Sequence, residues 1–577
     1  MYSHQWIKKD INDDLVKSIA DKYSCGFLTA HILVNRGITT DSEIKYFLSD
    51  DINLLCDPFL LPDINKAMQR IQQARARKEK ILIFGDRDVD GITATTLLVD
   101  YLQCLDIAVS WRIPVRDESY GLSIKAVEDF SAEDGNLIIT VDCGISNIAE
   151  ITRANELGID VIVTDHHTPK DILPEAFAIV NPKLKDSVYP FSDIAGCMVA
   201  YKLILALQKT LGNDGIPDYS RKDRQYIQLT ALGTVADIVP LLNENRIIVR
   251  NGLKAIIDKP RYGLSELLIT LGLAGKRITA KELGWLLCPV INAAGRMGCP
   301  DKALNLLLEA DPLIRINLAR EIKLLNDRRR RLGAKSLPFI EQLAKESLHQ
   351  FDGKLVVAAG ENISRGITGI MANRLTERFN IPAMVVHLGN EIAIGSIRST
   401  GNYDIRLLIE PIDDILLNWG GHKNALGFSL DRSLWEQFID RLEIEICYIP
   451  CVYTPENEPV IIDAEISPSN ITPNILAIVD LFDPYGTGNE PLVFVSNGIK
   501  VINAYLFGKT EMKHLKMTFE TKTYQWSAIL WNATNNIDFE IRTGDTVDAV
   551  FSFERDSYYK RETQQIVIKD IKKIFYP

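Results

Sequence analysis

The sequence predicts a multidomain α/β chain that finishes in a small β-barrel, and three observations carry this. Short Val/Ile runs such as ILIF (81–84), IITV (138–141) and VIVT (161–164) alternate with helix-length segments. That alternation is the pattern of βαβ units around a buried parallel sheet. It starts again after residue 351, where KLVVAAG (354–360) and AMVVHLG (383–389) flank the helical TGIMANRLTERF (368–379). Beyond residue 460 it gives way to closely spaced β-rich runs, LKMTFETKT (515–523), YQWSAILW (524–531) and DTVDAVFSFERD (545–556).

In chain order, residues 1–60 read as a helical lead-in and 61–305 as the first α/β domain. Residues 306–350 read as a long helical connector, interrupted near Gly333 and Pro338, two poor helix residues. Its run Arg328–Arg331 is the densest basic patch of the chain. Such a run is either a solvated helix face or a wall along a nucleic-acid path. A second α/β domain follows over 351–450, CVYTPENEPV (451–460) reads as a linker, and 455–577 as the barrel. Tyr524, Trp526 and Trp531 in the barrel are candidates for base stacking, although strand alternation sends many such aromatics into the core.

Composition bounds the function without naming it. The 577 residues are 46% hydrophobic, as in an ordinary globular protein. The N-terminal MYSHQWIKKDINDD lacks the apolar stretch of a signal peptide, and no run approaches a membrane span. Nine cysteines are scattered; Cys447 and Cys451 have no second pair with which to bind zinc, and the expected location is the reducing cytoplasm. Net charge is 65 − 76 = −11, which argues against a protein that coats phosphate indiscriminately. It leaves room for an acidic metal site and a local nucleic-acid groove.

The chemistry is concentrated at strand ends. GDRDVDGITAT (85–95) puts Asp86, Asp88 and Asp90 on alternate positions of a turn after the run ILIF. Carboxylates crowded this tightly repel one another unless a cation sits among them, although turn chemistry alone also favours Asp. NLIITVDCG (136–144) repeats the design with Asp142, and IDVIVTDHH (159–167) repeats it with Asp165, His166 and His167. ALGTVADIVPL (231–241) adds Asp237 within an apolar segment, where a bare carboxylate is costly. Parallel sheets bind ligands beyond the carboxyl ends of their strands, so these groups should converge there. Oxygen ligands with one imidazole suit Mn²⁺ or Mg²⁺ better than zinc.

GDRDVDG, VDCG, DHH and the later Asp237 resemble the four motifs of the DHH phosphoesterase family. Further motifs narrow the resemblance to the family's bacterial single-strand-specific 5′→3′ exonucleases. They are IPVRDESYGL (113–122), LLCPVINAAGRMG (286–298), GSIRS (395–399), GGHKNALGFS (420–429) and DPYGTGNEPLVF (483–494). The resemblance implies a parallel-sheet DHH domain, a long connecting helix, a DHH-associated α/β domain and an OB-like C-terminal barrel. It implies hydrolysis of single-stranded DNA to 5′-mononucleotides in repair and recombination, with a DNA helicase and a single-strand-binding protein as partners and no membrane.

It further implies a pair of Mn²⁺ or Mg²⁺ ions, with Asp142 between them, Asp88 serving one, and Asp90, His166 and Asp237 serving the other. Asp86 is then a further ligand or an acceptor behind one. Asp165 orients the histidines, and His167 faces the substrate as proton donor or phosphate contact. Arg296, with its fork of donors, grips a phosphate beside the metals. Arg116, Ser396 and Arg398 match positions that hold the strand's 5′ end, and Asn292, Gly421 and His422 complete the substrate set.

The chain departs from the family pattern at several points. Arg87 stands where an aromatic is usual and is expected to tune metal affinity. Val290 replaces a frequent arginine, Ile363 and Ser364 a Trp-His pair, and Ser119 a glycine. Two other readings fit parts of the pattern. A DHH phosphodiesterase for short oligoribonucleotides or cyclic dinucleotides needs no region after GTGNEP, and a non-catalytic DNA-binding scaffold has no need to keep every metal ligand.

Overall fold

The computed structural model describes residues 5–115, 118, 121–211, 219–399, 403–448, 459–508, 513–522, 524–533, 541–556 and 563–574. The chain opens with a short strand, β1 (Trp6–Lys8), and helices Asp13–Tyr23, Phe27–Asn35 and Asp41–Leu48. The last of these starts with a capping box, in which Thr40 and Glu43 satisfy each other's backbone N–H groups. This lead-in does not stand in front of the first α/β domain as a separate unit. Its Val16, Ile32, Leu33 and Phe47 share one core with Phe494, Phe519 and Phe551 of the C-terminal barrel.

The first α/β domain is built on five parallel strands: β2 (Ile81–Gly85), β3 (Val109–Arg112), β4 (Leu137–Val141), β5 (Asp160–Thr164) and β6 (Ala178–Val180). Their order is β3-β2-β4-β5-β6. Strands β2 and β4 are buried along their whole length, which is why they read as continuous apolar runs. The chain crosses from β2 out to β3 and back to β4, so the sheet switches direction between β2 and β4. The pairings Gly85↔Val141 and Val141↔Thr164 keep the strand ends level, so Asp86, Asp142 and Asp165 emerge side by side. That edge, at the switch point, is where such sheets bind ligands.

Beyond the sheet, helices Gly196–Leu211, Tyr219–Ala236 and Asn243–Asp258 complete the domain. A short turn, Ala280–Glu282, then leads through a wide π-type turn, Leu283–Leu287, into the Cys288–Arg296 helix. The connector differs from expectation. It is one uninterrupted 36-residue helix, Pro312–Ser347. Gly333 does not break it because the missing side chain admits Met371, whose Cε would lie 3.2 Å from an added Cβ. Pro338 and Ala334 both lie on an exposed face, so the Ala334 carbonyl left without a ladder partner meets water.

The second α/β domain has strands β7 (Val356–Gly360), β8 (Ala383–Leu388), β9 (Ile392–Arg398), β10 (Leu416–His422) and β11 (Ala425–Asp431). They are ordered β10-β11-β9-β8-β7, with β7 and β8 parallel and the remaining pairs antiparallel. Helices Thr368–Phe379 and Trp435–Cys447 pack against this sheet.

Strands β12 (Val460–Ile462) and β13 (Ala464–Glu465) lead into helix Ile475–Phe482 and the barrel. The barrel strands are β14 (Phe494–Phe507), β15 (His514–Glu520), β16 (Gln525–Leu530), β17 (Thr546–Asp556) and β18 (Thr563–Lys573). Pairing of β14 with β17 closes the ring, which removes the exposed sheet edge. Of the stacking candidates, Trp526 is core, donating its indole N–H to Ile471 O at 3.0 Å, whereas Tyr524 and Trp531 are half exposed.

Several ties fix the barrel to the rest of the molecule. Strand β1 pairs in parallel with β12, and Arg36 forks onto Asp463 at 2.7 and 2.9 Å. The buried Arg246 guanidinium donates to Phe47 O (2.9 Å), Leu481 O (2.8 Å) and Phe482 O (3.0 Å). Leu241 N donates to Thr487 O at 2.8 Å, so the GTGN loop is bonded to the segment that follows Asp237.

Candidate metal centre and nucleic-acid cleft

The turn after β2 is shaped to hold its carboxylates. Asp88 caps the Val89–Cys104 helix, accepting the Gly91 N–H at 3.1 Å. Gly91 is required there, because a Cβ would lie 2.5 Å from the Asp86 carbonyl. Asp90 accepts the Gly196 and Cys197 N–H groups at 2.6 and 2.9 Å, at the start of the Gly196–Leu211 helix. Asp142 sits in the left-handed region at φ 58°, an uncommon conformation for a non-glycine residue.

The expected ligands converge. Single ligand atoms of Asp86, Asp88 and Asp142 all lie within 4.8 Å of one another. The same holds for Asp90, His166 and Asp237, and for Asp142, His166 and His167. Asp142 Oδ1 is 3.1 Å from His166 Nε2, and Asp237 Oδ2 is 3.7 Å from His166 Nδ1. Asp86 Oδ1 and both ring nitrogens of His166 are buried without a hydrogen-bond partner among the described residues. Acceptors and ring nitrogens left this way inside a protein call for a further partner.

The electrostatics agree. Burial raises the Asp86, Asp142 and Asp237 carboxyls, and neighbouring aspartates add to the rise in Asp142 and Asp237. Asp90 is pushed up to about 6 by burial and by Asp88. Asp88 opens onto the cleft yet is hemmed in by protein, and desolvation with the nearby Asp86 raises it to about 6. His166 is driven well down by burial and by the charge of His167, which leaves it a neutral imidazole fit to ligate. Clustered carboxylates with one neutral imidazole form a donor set suited to Mn²⁺ or Mg²⁺.

Asp165 serves the backbone and one ring. Its Oδ1 accepts the N–H groups of His166 (2.7 Å) and His167 (3.0 Å) and lies 2.8 Å from His167 Nδ1, while Oδ2 accepts the Ile145 N–H at 3.0 Å. It therefore orients His167 directly and His166 only through the backbone. Burial opposes charge on His167, but the Asp165 carboxylate prevails and raises it to about 9. The second α/β domain comes over this group: His422 stacks on His167, with ring centres 6.0 Å apart and planes 10° apart. Gly421, at φ 145°, lets that hairpin close, since a Cβ would be 2.3 Å from Ala425 O.

The arginines and hydroxyls lie along the same cleft. Asn292 Oδ1 accepts the Val89 N–H at 3.0 Å, docking the Cys288–Arg296 helix on the metal-bearing turn. Gly295 packs on the Arg87 carbonyl, which would stand 2.4 Å from a Cβ. Arg296 opens onto the cleft, where the charge of Asp88 acts on it. No ion pair joins Arg87 to another described residue. Ser396 Oγ is 3.1 Å from Thr368 Oγ1, and Arg398 Nη2 would lie 2.8 Å from a Cβ on Gly369. Arg398 is lowered to about 10 by burial and by the charge of Arg296. Arg116 and Ser119 lie outside the described residues.

Sequence reasoning missed three contributors. Asn181, next in level after β6, donates from Nδ2 to His167 O at 3.0 Å. The charge of Lys183 lowers His166, Asp237 and His422 alike, which places a cation at the rim of the site. The available signal was AIVNPK (178–183), which repeats the design of an apolar run followed by polar residues. Thr368 was also missed, since a lone threonine opening a helix reads as an ordinary start signal.

Known proteins resemble this chain along most of its length. Residues 80–234 match the model of the DHH family N-terminal domain, 352–446 the DHHA1 domain and 462–570 the RecJ OB domain. The single-stranded-DNA-specific exonuclease RecJ of Bacillus subtilis is 33% identical over 579 residues, covering 98% of this chain and 70% of that protein. Its Escherichia coli namesake is 33% identical over 483 residues, covering 80% of this chain and 81% of that protein. Among solved structures, RecJ of Thermus thermophilus in complex with Mn²⁺ superposes with a TM-score of 0.80 at 27% identity, covering 99% of this chain and 80% of that one. An exonuclease RecJ bound to manganese gives a TM-score of 0.56 at 34% identity, covering 69% of this chain and 96% of that one. This chain belongs to the RecJ family.

Proposed function

We propose that this protein is a divalent-metal-dependent exonuclease that degrades single-stranded DNA from the 5′ end to 5′-mononucleotides. The observation that carries the reading is the pair of acidic groups around Asp142, opening onto a cleft whose other wall is basic. Asp86, Asp88 and Asp142 would hold one Mn²⁺ or Mg²⁺, and Asp90, His166 and Asp237 a second, with Asp142 shared. Cations held there supply Lewis-acid activation of water and neutralise charge on the scissile phosphodiester.

The protein's own groups do the rest. Arg296 holds the phosphate, and its planar fork fixes which ester bond faces the acidic groups. His167, held in one orientation by Asp165 and protonated at neutral pH, gives a proton to the departing 3′-oxygen or pairs with the phosphate. His422 packs over His167 and limits water around that proton. Ser396, Arg398 and, by resemblance, Arg116 receive the 5′-terminal phosphate, with Thr368 behind Ser396. Capping the strand end in this way favours an exonuclease over an endonuclease, and a cleft between two α/β domains favours one strand over two. Repair and recombination in the cytoplasm, with a DNA helicase and a single-strand-binding protein supplying substrate, are the setting that fits this activity.

End-labelled oligonucleotides test the reading. Single-stranded DNA, duplex DNA and the matching RNA are incubated with Mn²⁺ or Mg²⁺, beside Asp142→Ala. Stepwise 5′ release of mononucleotides from single-stranded DNA, lost in the variant, is the expected result. Cleavage confined to short RNA would replace it with the oligoribonucleotide phosphodiesterase reading.

A further inference from the structure

A large aromatic side chain on the turn before the Cys288–Arg296 helix is left mostly to solvent. Trp285 stands on the π-type turn that precedes the Cys288–Arg296 helix and is 75% exposed. Its neighbours Leu283 and Leu287 are buried and anchor the turn, while Leu286 is 45% exposed. Exposed apolar groups gathered together mark binding surfaces, and π-type turns recur at functional sites.

Its position follows from the packing of the turn. Gly284 lies against the helix that ends just before Asp237, with Val235 Cγ1 3.6 Å from where a Cβ would be. Cys288 Sγ reaches Leu232 O of the same helix at 4.0 Å. One residue past Asp237, Ile238 is 71% exposed. Lys281, just before the turn, pairs with Glu554 of the barrel at 3.4 Å. Trp285 thus occupies the ground between the metal-bearing segment and the barrel.

Helical spacing links it to the substrate-facing residues. With a π-type turn up to Leu287 and 3.6 residues per turn after it, Asn292 and Arg296 lie about two and three turns beyond Trp285, on broadly the same side of the helix. Asn292 touches the metal-bearing turn and Arg296 opens onto the cleft, so that side runs along the cleft. The rise of the helix sets Trp285 roughly 16 Å from Arg296 along the axis. That separation is a few nucleotides along an extended strand. A phosphate held at Arg296 brings the bases behind it over the indole.

We propose that Trp285, with Leu286 and Ile238 as its apolar surround, is a stacking platform for an unpaired nucleobase a few residues behind the 5′ end of the bound strand. The proposal rests on the exonuclease reading and identifies one residue that would favour a single strand, because only an unpaired base offers its face to an indole. Stacking tolerates any base, as a nuclease that reads no sequence requires.

The test is binding without turnover. Dissociation constants for a 5′-phosphorylated single strand are measured in EDTA by fluorescence anisotropy. Native protein, Trp285→Ala and Trp285→Phe are compared on an intact strand and on one carrying a run of abasic sites behind the first nucleotide. Trp285→Ala should bind the intact strand about tenfold more weakly, and Trp285→Phe should recover most of that loss. On the abasic strand all three proteins should bind alike. The salt dependence should be unchanged, since no charge is removed. Equal loss on both strands, or no loss on either, overturns the platform; the second outcome leaves the apolar patch to a protein partner. Metal-dependent digestion by native protein is scored separately. If it succeeds while the binding pattern fails, only the platform falls; if native protein neither binds nor digests the strand, the exonuclease reading falls with it.

Discussion

Asp90→Asn should make the metal-free protein more stable at neutral pH while weakening its response to Mn²⁺. Asp90 is 1% exposed, and its carboxyl is raised from an ordinary 3.8 to about 6. A folded-state value above the unfolded one means that the folded protein binds the proton more tightly. Stability from this group is therefore complete below about pH 4 and is lost as the pH rises through about 6. A gap of about two units corresponds to about 3 kcal/mol withdrawn from the native protein and not from the variant. Asparagine keeps one acceptor for the Gly196 and Cys197 N–H groups and loses the other, a cost of about 1 kcal/mol that does not vary with pH. The quantity to measure is hence the slope of the stability difference, from urea midpoints in EDTA between about pH 4 and pH 7. It should move by about 3 kcal/mol in the variant's favour, and saturating Mn²⁺ should stabilise the native protein more than the variant. A difference that stays flat with pH would refute the claim that a buried, uncompensated carboxylate stores this energy.

Other perturbations probe other links. Asp165→Asn should lower activity or metal affinity about 10- to 100-fold, and should bring the upper limb of the pH–rate profile down from about 9 as His167 loses its carboxylate; steady-state rates across pH would show it. Gly366→Ala places a methyl 2.2 Å from the Arg296 carbonyl and should cost about 1–3 kcal/mol, read as a rise in KM for the strand with little change in metal binding. Arg246→Met takes the donor from Leu481 O and the shorter of two donors from Phe47 O, while Phe482 O keeps the Asn489 amide, and should destabilise the protein by about 1–3 kcal/mol, measured by denaturant unfolding. Arg87→Tyr removes a cation whose charge acts on Asp86 and should lower the Mn²⁺ concentration needed for half-maximal rate; an unchanged metal titration would count against it.

The candidate metal centre was legible because most of its residues follow strands that the sequence marks by local pattern, and Asp237, which follows the Tyr219–Ala236 helix, stands out as a carboxylate in an apolar segment. β2, β4 and β5 announce themselves as apolar runs, and Asp86, Asp142 and Asp165 follow them directly. What escaped detection depends on distant partners. The connector reads as broken at Gly333 only until Met371 is known to fill the space. The role of Lys183 emerges only when β6 is aligned beside β5, and Trp526 could not be assigned to the core before Ile471 was known to accept its N–H. The partner of the lead-in stayed hidden because nothing within residues 1–60 discloses a contact more than four hundred residues away.

That last pairing has a consequence for how the chain comes off the ribosome. The helices carrying Val16, Ile32 and Phe47 are made first, yet the surface that covers their apolar faces belongs to the final domain. Asn35 must wait for Ile462, 427 residues later, to receive its amide. At about 5–20 residues per second, that interval is roughly 20 to 90 seconds. Throughout it the lead-in is a nascent segment with an unpaired strand and exposed hydrophobic faces, the kind of surface on which chaperones act. The two α/β domains, whose strands pair locally, can mature in the meantime.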